Sequence, residues 1–159
     1  MIEEYKKLIN SDEFKKWFSK NKDSYLSSCF SMQDPNSNSE WNFDYYLPKK
    51  NKITTFVVSN EITLSPDQKI FEKTKGKLKE IKLDDIKFSL DDANKFIEKE
   101  FKGRKLLKKI IVLQFLDGLI WNISLLCLDF NLINLKLDAN NGKLLDKSET
   151  LMLQFNKAS

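Results

Sequence analysis

The side chains that could do chemistry in this sequence are carboxylates, lysines, hydroxyls and two thiols, because none of the 159 residues is histidine. The lack of histidine removes the commonest general base, the usual catalytic triads and most zinc sites. The four glycines are scattered, so they cannot build a phosphate-binding loop or a dinucleotide-binding motif. The sequence therefore predicts no catalytic residue, no metal site and no cofactor.

One group of acids and the two cysteines are the remaining chemical candidates. Asp91, Asp92 and Glu98 could act as acids or bases in a cleft, but on an amphipathic helix such residues form the solvent-exposed face. Cys29 and Cys127 are too few for a disulfide scaffold and lie in apolar, strand-like runs. We predict that the acids are structural and that the two thiols are reduced and separately buried.

Aromatic residues offer a candidate binding site. Eleven of the 19 aromatic residues lie within the first 60 positions. Four of them could line a concave pocket for a small apolar ligand, namely Trp17, Trp41, Tyr45 and Tyr46. The alternative is that these side chains belong to the core, where large aromatic residues are common.

The charge pattern bears on partners and location. The net charge is +4, Arg104 is the only arginine, and the lysines alternate with acids, as in "KTKGKLKEIKLDD". Such a mixed surface favours solvation over nucleic-acid binding, which usually relies on arginine. No apolar run approaches the roughly 20 residues that cross a bilayer, and the start does not resemble a signal peptide. We expect no nucleic-acid partner and no membrane insertion, with a cytoplasmic location for the chain as given and an extracytoplasmic one if a leader was removed.

The second half of the chain predicts a helix followed by an antiparallel meander. Ser89 and the acids after it are typical of a helix start, and "KKIIVLQFL" is apolar on both faces, as in a central strand. Asp117-Gly118 predicts a hairpin, and an asparagine near residues 129 to 131 is expected to adopt the left-handed conformation. "KLL" and "LMLQF" are candidate closing strands. The predicted buried positions of the two middle strands are Trp121, Ile123, Leu125, Cys127, Ile133, Leu135 and Leu137.

The first half follows the same order of elements. Residues 41–60 align with residues 121–140 without a gap, which matches Trp41 with Trp121 and predicts that Ile53, Thr55 and Val57 are buried. We predict an α+β protein of two pseudo-repeats related by a pseudo-twofold axis, each a helix packed on an antiparallel β-meander. The repeats span residues 1–75 and 76–159, as two units or as one compact domain. Two unrelated hairpins with a common pattern are the alternative.

The second repeat resembles the PepSY domain. The resemblance rests on the helix start "SLDDANKF", on the strand opened by Trp121 and on "LDANNGKLL", which is similar to the family's closing D-A-x-T-G-x-x-L. Asp138, Ala139, Gly142 and Leu145 match that ending, whereas Asn141 replaces the usual threonine. The likeness covers residues 81–146, and it reaches the first, divergent half only through the repeat. It implies a cystatin-like helix and sheet, a location commonly outside the cytoplasm, and a role in inhibiting or regulating peptidases, without a catalytic residue.

Three functions are compatible with these observations. The leading hypothesis is a non-catalytic binding or regulatory module that binds a peptide or another protein and that could inhibit a peptidase. The alternative is a carrier of a small apolar ligand in the aromatic pocket. An enzyme that uses a carboxylate or a thiol comes third, and the oligomeric state is left open.

Overall fold

The computed structural model describes residues 1–37, 39–70 and 78–152 of the chain. Within these residues, three α-helices and a short 3-10 helix, Leu83–Asp85, accompany nine strands. The helices are α1 (Ile2–Asn10), α2 (Asp12–Lys20) and α3 (Leu90–Glu100). The strands are β1 (Tyr25–Gln33), β2 (Trp41–Leu47), β3 (Lys52–Val58), β4 (Ile62–Leu64), β5 (Gln68–Lys69), β6 (Leu106–Phe115), β7 (Leu119–Cys127), β8 (Asn131–Asp138) and β9 (Leu144–Leu151).

All nine strands form one antiparallel sheet. Its order is β4-β3-β2-β1-β6-β7-β8-β9, and β5 pairs with β3 as well. The two halves of the chain therefore share a continuous sheet, joined where β1 lies beside β6. The prediction of an α+β fold with antiparallel meanders is confirmed.

The strand register contains a local twofold axis. In the first half Phe30 pairs with Asn42, and in the second half Val112 pairs with Asn122, so that Phe30 and Val112 occupy equivalent positions. These two residues also face each other across β1 and β6. A pair of equivalent residues that face each other marks the axis, which runs through the middle of the sheet.

One part of the gapless repeat alignment is wrong. Trp41 pairs with Val58, whereas Trp121 pairs with Leu137, so the alignment slips by one residue in the third strand of each half. The cause is turn length, since four residues separate β2 from β3 and three separate β7 from β8. The slip exchanges the faces of β3. Its fully covered residues are Thr54, Phe56 and Val58, and not the predicted Ile53, Thr55 and Val57.

The conformation of the β7–β8 turn also differs from the prediction. Phe130, and not an asparagine, adopts the left-handed conformation there, with a φ of 62°. In the corresponding turn of the first half, Asn51 does so with a φ of 49°. An aromatic residue in this conformation is uncommon because its Cβ crowds the backbone. Here the Phe130 N–H bonds to the Cys127 carbonyl at 3.0 Å, which closes the turn.

The helices cover one face of the sheet and enclose a single core. Leu8 of α1, Phe14 of α2 and Ile97 of α3 all pack against inward-facing residues of the central strands.

The predicted start of α3 is confirmed, because Ser89 and Asp92 form a reciprocal capping box. The sequence analysis did not identify α1. The predicted closing strand "LMLQF" begins at the end of β9, but residues 153–155 lie outside the described chain.

Ser31 is a polar residue in this core, and its hydroxyl lacks a hydrogen-bond partner within the described ranges. An unpaired buried hydroxyl lowers stability because it has lost its bonds to water. We expect Ser31→Ala to raise the free energy of unfolding by about 1 kcal/mol in a urea titration. Ser24→Ala is the matched control: the Ser24 hydroxyl is buried but bonds to the Asn21 carbonyl at 2.6 Å, so its loss should destabilise. A Ser31→Ala protein with a lower free energy of unfolding than the wild type would contradict this prediction.

Candidate functional site

Two of the four aromatic candidates, Trp41 and Tyr45, lie in the core, and Trp17 packs against it. Trp17 and Tyr45 contact each other at 5.5 Å between ring centroids, and both rings also contact Phe14 and Phe56. Trp41 is 2% exposed and lies next to Phe43. Trp17 and Tyr45 therefore fill space between α2 and the sheet.

Tyr46 lies on the opposite face of the sheet from Trp41 and Tyr45, as strand alternation requires. Its ring packs edge-on against Tyr25, and its hydroxyl donates to the Asn51 side chain at 3.0 Å. The structure therefore does not bring the four candidates together. None of them lines any of five clefts found in the described part of the chain.

The acidic candidates on α3 have different roles. Asp92 caps the helix, and hydrogen bonds from the Ser89 hydroxyl and backbone N–H hold the pKa of Asp92 below its usual value. Asp91 and Glu98 are exposed. Across the described ranges, no three acidic or cysteine side chains lie close enough together to hold a metal ion.

The two thiols are free and buried, as predicted. Cys29 lies at the centre of the core, and its burial raises the pKa of the thiol far above the usual value. Burial also raises the pKa of Cys127, which lies at the end of β7. Neither thiol is therefore available as a thiolate at neutral pH.

The face of the sheet away from the helices is the most distinctive surface, and we call it the open face. At its centre lie four apolar side chains from β1 and β6: Phe30, Met32, Ile110 and Val112. Met32 is 44% exposed and the other three are half-buried. Phe30 and Val112 flank the local twofold axis, and Met32 and Ile110 lie next to them on one side of it, so this part of the open face is apolar.

Polar side chains flank this centre on both sides. In the first half, Asp44 accepts hydrogen bonds from Ser28 at 2.6 Å and from Thr55 at 2.5 Å, across three strands. In the second half, Ser124 donates to Asn134 at 2.6 Å. Asp44 and Ser124 occupy equivalent positions, so both halves carry a polar row beside the apolar centre.

A cleft of about 350 Å³ lies at one end of the open face. Phe30 and Met32 form its apolar part, and Asp34 and Glu40 add carboxylates. The Ser37 hydroxyl and the Asn36 N–H bond to Asp34 and hold the pKa of its carboxyl below the usual value. An apolar surface beside two carboxylates suits a side chain with an aliphatic stem and a cationic end.

A similar fold occurs in a solved structure. The chain shares its fold with a predicted lipoprotein of Clostridium difficile 630. The two chains are 15% identical and superpose with a TM-score of 0.58 over 87% of this chain and 91% of the other. No family model matches the sequence, and no curated protein matches it either.

None of the helices in residues 1–37, 39–70 and 78–152 is long and apolar enough to cross a bilayer.

Sequence reasoning missed the open face, although a signal for it was present. "KKIIVLQFL" is apolar on both alternating faces, which indicated a strand with two covered sides. Among the described residues, helices cover one side of β6, and Ile110 and Val112 on the other side are half-buried. Burial of that second face depends on the positions of all three helices. The apolar pattern of a single strand contains no information about those positions.

Proposed function

We propose that the protein is a non-catalytic, PepSY-like binding module whose open face binds an extended segment of a peptide or another protein. The observation that carries this proposal is the apolar centre formed by Phe30, Met32, Ile110 and Val112 on a face that none of the described helices covers. Soluble proteins seldom leave such side chains together at a surface unless the surface binds something.

The surroundings of the apolar centre favour a peptide over a small apolar ligand. An extended peptide carries a regular series of amide groups as well as side chains. The polar rows around Asp44 and Ser124 offer carboxylate, hydroxyl and amide groups to those amides. The cleft with Asp34 and Glu40 would accept a lysine or arginine side chain of the peptide.

The PepSY-like part of the proposal is supported by the turn after β8. Gly142 has a φ of +74°, which favours glycine, and Asp138 accepts a hydrogen bond from the Asn140 N–H at 2.7 Å. These are the roles of any turn with a positive-φ glycine and an aspartate bonded to the turn backbone, and they are compatible with the closing motif of the family. Regulation of a peptidase, which the family resemblance implies, fits binding of an extended chain.

The test is a binding measurement with fluorescent peptides that combine apolar residues with one lysine or arginine. Met32→Lys should weaken binding at least tenfold, because it places a charge in the apolar centre. Leu128→Lys is the matched control, since Leu128 is also exposed but lies in the β7–β8 turn. Glu40→Gln should reduce the preference for basic peptides. Equal binding by the Met32→Lys protein and the wild type would overturn the proposal.

Two other assays separate this function from its competitors. Slowed peptidase activity that Met32→Lys relieves would support a regulator that acts through the open face. Uptake of a small apolar fluorophore that is unaffected by Met32→Lys would instead favour the carrier. Turnover of a substrate that is lost on changing one acid would exclude a purely binding role.

A further inference from the structure

The sheet ends in two unequal edges. One edge consists of β4 and β5, which have three and two residues, whereas the other is formed by the eight residues of β9. Within the described chain no strand pairs with the outer side of β9. An edge strand of this length presents a row of N–H and C=O groups to another strand.

The charged side chains of β9 have defined positions. Lys147 and Glu149 lie on the helix-covered side, because they pair with the buried residues Leu135 and Ile133 of β8. The Lys147 ammonium lies 4.8 Å above the Phe101 ring, and Glu149 accepts a hydrogen bond from Arg104 at 2.7 Å. Both side chains are therefore oriented before any partner arrives.

We propose that β9 pairs antiparallel with β9 of a second copy, in the register that places Ser148 opposite Ser148. A twofold axis between two identical antiparallel strands requires that one residue faces its own copy. With Asp146, Lys147 or Glu149 at the axis, like charges would face each other directly. With Ser148 at the axis, Lys147 of each copy faces Glu149 of the other, and Asp146 faces Thr150.

The regular ladder in this register has a natural end. The pairing of β8 with β9 shifts between Lys136 and Leu137, which leaves Leu145 as an extra residue in β9. A bulge of this kind interrupts regular pairing, so the ladder covers residues 146–150 of each copy. The product is one sheet that continues through both copies, with both open faces on the same side.

The charge pattern allows a test that is specific for this register. Wild-type protein should sediment with twice the monomer mass at high concentration and dissociate on dilution. The Lys147→Glu and Glu149→Lys proteins should each remain monomeric. In a dimer of either variant, residues 147 and 149 would carry like charges in both of the pairs that face each other across the twofold axis. An equimolar mixture of the two variants should restore the dimer, as should the double variant with both changes in one chain. A wild type that is monomeric at every concentration, or variants that dimerise alone, would overturn the proposal.

A cross-link provides a second readout that does not depend on charge. Paired residues of adjacent antiparallel strands have Cα atoms roughly 4.5–5.5 Å apart, which a disulfide can span. Ser148→Cys should therefore form a disulfide-linked dimer under mild oxidation, whereas the control Asp146→Cys, which faces Thr150, should not. Cys29 and Cys127 are buried and add no background. Equal cross-linking at both positions would show that the register is wrong. Both tests leave Phe30, Met32, Ile110 and Val112 unchanged, so their failure is distinguishable from failure of peptide binding.

Discussion

Trp121→Ala is expected to lower the free energy of unfolding by about 3–5 kcal/mol, the range for removal of a large aromatic side chain from a core. Trp121 is among the largest fully buried side chains, and its indole N–H bonds to the Phe88 carbonyl at 2.9 Å. That bond ties the segment before α3 to β7. The loss is a large fraction of the roughly 5–15 kcal/mol that stabilises a typical domain. Urea unfolding followed by circular dichroism measures it, and the melting temperature should fall by about 10 °C.

Trp121→Phe separates the two contributions. Phenylalanine retains most of the apolar area but cannot donate to the Phe88 carbonyl, so its cost should be clearly smaller. Trp41→Ala is the comparison in the other half, since Trp41 is also buried and lies in the second strand of its repeat. A loss below about 1.5 kcal/mol for Trp121→Ala would contradict the role given to this side chain.

Gly142→Ala is expected to destabilise the protein by at least about 2 kcal/mol, the sum of backbone strain and steric conflict. Gly142 has a φ of +74°, and a Cβ at this position would lie 2.5 Å from the ring of Phe88. Since that ring is packed against the core, it cannot move away freely. Thermal or urea unfolding of the variant provides the measurement.

Gly103→Ala is the matched control for the strain alone. Gly103 has a φ of +87°, yet a Cβ there would meet no atom within 4 Å. We therefore expect Gly103→Ala to cost about 1 kcal/mol. Adding Phe88→Leu to Gly142→Ala should recover part of the difference, because leucine leaves more room near the glycine. Equal costs for the two glycine variants would show that Phe88 does not constrain Gly142.

Local features of the fold were predictable from the sequence where one signal decides them. Ser89 before two acids identified the start of α3, and the alternation after Trp121 identified the buried face of β7. The face of β3 was not predictable in this way. It depends on whether a turn has three or four residues, and one residue reverses every side chain after it.

The candidate site was less accessible to sequence reasoning than the fold. Trp17 and Tyr45 are aromatic, but whether aromatic side chains line a cavity or fill one depends on neighbours such as Phe14 and Phe56. The open face depends on helices that are distant in sequence and all pack on one side. These are properties of the assembled chain, and a pattern within one strand does not contain them.

The local twofold axis between Phe30 and Val112 has a consequence for the polarity of a bound chain. The twofold axis exchanges the two halves of the sheet. A segment bound across the strands in one direction therefore meets equivalent strands in the same order as a segment bound in the opposite direction. The strand order of the sheet therefore favours neither direction of the bound segment. Any preference for one orientation has to come from positions where the halves differ, such as Asp44, which carries a charge, and its counterpart Ser124, which does not.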